Sequence, residues 1–148
     1  MLSRVLACCC LSCALLVLPA AAGAASPPRV LLGEVRSVAT LEPARVDAFR
    51  QLVQRTFHSM KLARDTEGPS YILSTTLLEF STVERKHSHT KTCVVGLVLR
   101  DKNGGALRAT LNGQALLRES ERPTEEGDRI VMETAVRRAL GQLGQFLK

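Results

Sequence analysis

Along residues 30–148 the spacing of apolar positions alternates between two periods, and each change marks an element. Residues 30–35 form a short apolar run that reads as a strand. Val46, Phe49, Leu52, Val53, Phe57 and Met60 then recur at helical spacing, with Arg45, Asp47, Arg50, Gln51, Gln54 and Arg55 mostly on the other side. That predicts an amphipathic helix over 41–61, with Thr40 as its cap and Pro43 in its first turn, where a missing N–H is harmless. Gly68-Pro69 breaks the pattern. Residues 71–84, rich in Thr, Leu, Ile and Phe, fit a long strand, and residues 92–100 (TCVVGLVLR) fit another. Asp101-Lys102-Asn103-Gly104-Gly105 predicts a tight hairpin turn, because Asn-Gly adopts positive φ readily.

The returning strand, 106–118, has the clearest alternation. Leu107, Ala109, Leu111, Gly113, Ala115 and Leu117 point one way, and Arg108, Thr110, Asn112, Gln114 and Arg118 the other. One face is therefore buried and one wet. After a polar loop, Asp128 is the expected cap of a last helix, whose stripe is Met132, Ala135, Val136, Ala139, Leu140, Leu143, Phe146 and Leu147. Gly141 and Gly144 weaken that helix, and close packing on the sheet would account for them. The order β-α-β-β-β-α gives an α+β two-layer sandwich, a mostly antiparallel sheet covered on one face by two helices.

The N-terminal pattern is of another kind. Residues 1–25 carry one charge, Arg4, then an apolar run from Val5 to Leu18, then small residues at Ala22-Gly23-Ala24. That is the layout of a secretory signal peptide, cleaved after Ala24 or Ala25. The expected organisation is signal peptide 1–25, linker 26–29 and a single domain 30–148. Cys8, Cys9, Cys10 and Cys13 all fall in the signal. No second cysteine pair follows, so zinc ligation is not expected. A lipid-modified Cys13 or Cys8 is the alternative, with the protein then an outer-membrane lipoprotein, but both lack a good attachment motif. Cysteine acts here as a small hydrophobe, and the protein is expected in the periplasm or outside the cell.

Composition narrows the partners. The chain has 20 Lys+Arg against 14 Asp+Glu, a formal charge of +6 that falls to +5 once Arg4 leaves. A basic exported domain suits anionic lipid headgroups, lipopolysaccharide or acidic protein surfaces. One Tyr, four Phe and no Trp offer little for base stacking, so nucleic acid is not expected. The domain keeps a single cysteine, Cys93, and needs no internal disulfide. No cofactor is implied, and the oligomeric state is not encoded in any visible pattern.

Three stretches carry a resemblance: RVLLGEV…PARVDAFRQLVQRTFHSM, the meander from YILSTTLLEF to LNGQALL with its hairpin GLVLRDKNGGAL, and the closing helix RIVMETAVRRALGQLGQFLK. Together they resemble bacterial envelope accessory domains, namely the N-terminal domain of the translocation protein TolB, the lipopolysaccharide-assembly lipoprotein LptE and the curli secretion lipoprotein CsgG. The resemblance implies a non-enzymatic protein that binds or assists another envelope component. It carries over no functional residue.

Candidate sites are few. Arg85, Lys86, His87, His89 and Lys91 fall at the tip between two strands and could touch an anionic surface, more strongly as the histidines charge. His87 and His89 could share a metal, but His58 belongs to the first helix and a third ligand is missing. Cys93 could be a nucleophile with His89 as base, yet Cys93, Val95, Leu97 and Leu99 alternate as core, and a buried apolar thiol is inert. Val94, Gly96 and Val98 are apolar on the opposite side. With two helices and one sheet, that side is open, and Val94 and Val98 with Leu78 and Phe80 are the expected partner surface. The expectation is therefore a docking protein for an envelope partner, with a carrier of a small amphiphile held between helices and sheet as the alternative.

Overall fold

The computed structural model describes residues 27–60, 62, 68–120 and 122–147. The expected signal peptide and its cysteines lie outside the described residues. The elements are β1 (Arg29–Ser37), α1 (Pro43–Ser59), β2 (Ser70–Arg85), β3 (Ser88–Asp101), β4 (Leu107–Glu119) and α2 (Glu125–Phe146). They form one four-stranded sheet in the order β1-β2-β3-β4. β1 runs parallel to β2 through the α1 crossover, and the other two pairings are antiparallel. Both helices cover the same face. Arg45 at the start of α1 meets Asp128 at the start of α2 at 3.2 Å, and Gly144 near the end of α2 faces Met60 just after α1, so the helices run side by side in one direction.

The core fills the space between these layers. Phe49, Leu52 and Val53 of α1 and Val131, Ala135, Val136, Ala139, Leu140 and Leu143 of α2 pack on Leu73, Leu77, Cys93, Val95, Leu97, Leu99 and Ala115. This is the predicted α+β sandwich with one sheet face uncovered.

Several local expectations change. α1 has Glu42 at its N-cap with no side-chain bond, so Thr40 does not cap it; Pro43 does open it. α2 is capped by Thr124, whose hydroxyl accepts from the Gly127 N–H at 2.9 Å, and Asp128 sits inside the first turn instead. The β3–β4 turn is longer than an Asn-Gly hairpin. The Asp101 N–H donates to the Ala106 carbonyl and the Gly105 N–H to the Asp101 carbonyl, each at 2.9 Å, and Gly105 carries the positive φ of 64°. The Asp101 carboxylate accepts from the Asn103 N–H and the Arg108 guanidinium, and these bonds hold it below the usual carboxylate range.

Gly141 and Gly144 are not sites of tight packing. A Cβ at Gly141 would meet nothing within 4 Å. Gly141→Ala is therefore expected to stabilise the domain by about 0.5–1 kcal/mol, read from thermal or urea unfolding, because alanine removes the glycine's helix penalty without touching a neighbour.

Candidate functional site

Three surfaces emerge from this arrangement, and a buried charge cluster fixes the frame that carries them.

The cluster is built around Lys91. The alternation Leu99, Leu97, Val95, Cys93 on β3 continues to Lys91, so its side chain enters the helix-covered layer and is 0% exposed. Its ammonium lies 2.6 Å from the Asp128 carboxylate and 3.0 Å from Glu119, and it donates to the Thr124 carbonyl. Asp128 also pairs with Arg45, and the Thr124 hydroxyl donates to Glu119 at 2.8 Å. One buried cation thus ties β3, β4, α1 and the first turn of α2 together. Burial alone would pull the Lys91 ammonium down, but the bonds to Asp128 and Glu119 outweigh it and hold its pKa above the ordinary value. The Thr124 hydroxyl and then Lys91 hold Glu119 below its ordinary value. The expected placement of Lys91 on a solvated basic tip is corrected. Extending the β3 alternation two residues back from Cys93 was the signal for it.

The tip itself is the β2–β3 hairpin end. Arg85, Lys86 and His87 are exposed there, whereas His89 is half-buried, in register with Glu84 and Glu119. Among the described residues, no group of three His, Cys, Asp or Glu side chains comes together to hold a metal. Cys93 is fully buried and burial pushes its thiol up to about 12, so it is protonated and unreactive at neutral pH.

The uncovered sheet face is the second surface. It carries Leu78, Val94 and Val98 but not Phe80. A bulge between Leu77 and Glu79 adds one residue to β2, so Phe80 pairs with Cys93, turns to the helix side and packs on the core. Leu78 takes its place by folding over Gly96, where a Cβ would come within 3.0 Å of Leu78 Cδ1. Leu116, at 63% exposure, lies on the same face opposite Thr92. An irregularity between Leu99 and Arg100 likewise moves Leu107 off the buried face, leaving it exposed. Arg36, Arg100 and Arg118 share the open face through their partners Thr76, Ile72 and Thr90, against Glu79 opposite Val94. The open face is therefore apolar and Thr/Ser-rich at its centre, with arginines on three of its four strands.

The third surface is a groove of about 600 Å³ between α1 and α2, floored by Leu52 and Met132. Arg45, Arg55, Arg129 and Arg137 line it together with Glu42, Glu125, Asp128 and Glu133. Most of these charges are already paired. Arg129 meets Glu126 and Arg137 meets Glu133, each at 2.5 Å. The groove lies between the two helices rather than between helices and sheet.

No protein-family model matches the chain, and no curated protein matches it. Solved structures do. A hypothetical protein from Chlamydia trachomatis superimposes with a TM-score of 0.59 at 10% identity, covering 82% of this chain and 98% of that one. A Xanthomonas campestris protein of the DUF330 family model gives 0.54 at 13% identity, covering 78% and 81%. A minor lipoprotein from Acinetobacter baumannii gives 0.50 at 14% identity, covering 76% and 92%. A specific kinship with TolB, LptE or CsgG is not shown by these three. At such identities the likeness is one of fold, which this chain shares with the Acinetobacter minor lipoprotein.

Proposed function

We propose that this chain is an exported accessory protein of the bacterial envelope that works by docking, without catalysis, through the uncovered face of its sheet. One observation carries the reading: two helices cover one face of the sheet, and the other presents Leu78, Val94, Val98 and Leu116 between Arg36, Arg100 and Arg118. Apolar centres with a polar rim are typical of protein interfaces, and arginine is enriched there. Arg36, Arg100 and Arg118 outnumber Glu79 and Glu34 on this side, and that excess favours an acidic protein surface. The likeness in fold to the Acinetobacter minor lipoprotein supports an exported setting. The basic hairpin tip at Arg85, Lys86 and His87 would stand beside such a partner and meet an anionic surface.

The test is co-purification from the envelope. Val94→Ser with Val98→Ser is expected to lower recovery of a stoichiometric partner at least about tenfold while leaving the fold intact, because two apolar anchors leave the centre of the contact. Unchanged partners would remove this face from the function.

A second reading, carriage of a small amphiphile, is favoured by the interhelical groove, whose 600 Å³ and apolar floor suit a drug-sized ligand. Lipid extracted in a fixed ratio from purified protein would support it, and a partner protein with no lipid would support docking.

A further inference from the structure

The two edges of the sheet are treated differently. At the β4 edge, Arg138 of α2 donates to the Gln114 carbonyl at 2.7 Å and Gln142 donates to the Asn112 carbonyl at 2.9 Å. Two side chains of a packed helix thus occupy outward carbonyls of β4 and close that edge to another strand. At the β1 edge nothing comparable is present: among the described residues, no side chain bonds to the backbone of residues 29–37 from outside the sheet. β1 contains neither Lys nor Pro, and the edge features it does carry are its bulge and the charges Glu34 and Arg36.

The β1 edge is self-complementary. β1 carries a bulge in which Gly33 and Glu34 together oppose Ser74 of β2, between the pairs Leu32–Leu73 and Val35–Thr75. In an antiparallel pairing of two β1 strands about a two-fold axis at Val35, Val35 meets itself and Arg36 of each copy meets Glu34 of the other. The bulge then brings the faces back into step. Ser37 meets Leu32 of the second copy on the helix side, and Val38 meets Leu31 on the open side. Val38 is 63% exposed in the single chain, and this pairing covers it. Within one chain Glu34 and Arg36 make only a long 3.9 Å contact, with both side chains more than half exposed, so both are available to a second copy.

We infer that two copies of this chain join through β1 to form a closed two-fold dimer with a continuous eight-stranded sheet. Because β4 is closed by Arg138 and Gln142, the open edge of one copy has no β4 edge to add to in a head-to-tail chain, and the contact closes on itself. This dimer is independent of the docking reading. It engages Arg36 at the β1 rim and leaves the centre of the open face, Leu78, Val94, Val98 and Leu116, uncovered in both copies.

Charge exchange tests it. In sedimentation equilibrium of the purified protein, the mass expected is that of two chains. Arg36→Glu alone sets two carboxylates opposite each other at both symmetric sites, and Glu34→Arg alone sets two guanidiniums there. Each is expected to weaken the dimer at least about tenfold. The double exchange, Glu34→Arg with Arg36→Glu, restores the pairing and is expected to return the affinity to within about threefold of wild type. Both side chains are exposed, so thermal unfolding at low concentration should be nearly the same for all four proteins. A wild-type monomer, an assembly larger than a dimer, a dimer indifferent to both single reversals, or a double exchange that fails to restore it would each overturn the proposal.

Discussion

Gly113→Ala is expected to destabilise the domain by about 3 kcal/mol, lowering the melting temperature by roughly 10 °C or more. The cause is the approach of α2 to β4. A Cβ on Gly113 would lie 2.5 Å from the Ala139 nitrogen and 2.8 Å from its Cβ, and closer still to the Ala135 carbonyl. The obstacles are helix backbone, which cannot swing aside as a side-chain end can. The helix has to lift, and lifting it opens the contacts of Ala135, Ala139 and Leu143 with the sheet. The same distance matters for the edge, since Arg138 and Gln142 reach the β4 carbonyls only from a helix seated this close. Chemical denaturation of the variant, read against Gly141→Ala as a control of opposite sign, checks the argument.

Lys91→Met is expected to cost about 3–5 kcal/mol, since it removes the buried cation between Glu119 and Asp128 and leaves Glu119 without a charged partner. Adding Glu119→Gln should recover a large part of the loss, because Asp128 keeps Arg45. The pH dependence follows from the two shifts. Glu119 is held below its ordinary value in the fold, so its contribution is present above about pH 4.3 and is lost as pH falls through the lower folded value. Lys91 is held above its ordinary value, so its contribution is present below about pH 10.4 and is lost as pH rises through the higher folded value. The stability gap between wild type and Lys91→Met should therefore stay level between those limits and narrow on the acid side. A gap that widened in acid would contradict the cluster.

The two layers were legible in the sequence because periodicity reports which side of an element is buried. The stripe Phe49, Leu52 and Val53 and the alternation Ala109, Leu111, Gly113 and Ala115 survive intact in the fold. What was not legible depends on neighbours. The bulge at Leu78 exists only in the pairing of β2 with β3, and nothing local in Leu77-Leu78-Glu79 announces it; the single inserted residue exchanges Phe80 for Leu78 on the open face. The shift near Arg100 does the same to Leu107. Lys91 looked solvated because lysine usually is, and its two carboxylates come from β4 and α2, far along the chain. The glycines that matter for packing could not be told from those that do not, since Gly113 is crowded by a helix 22 residues or more away in sequence and Gly141 by nothing.

Docking through the uncovered face of the sheet remains the proposed mode of action. It is tested most directly by placing a photo-crosslinking phenylalanine analogue at Leu116, exposed on that face, or at Ala44, in the interhelical groove, and irradiating intact cells. A discrete protein adduct is expected from position 116, lost with Arg118→Glu, and no such adduct from position 44. A discrete adduct from position 44 with none from position 116 would contradict it.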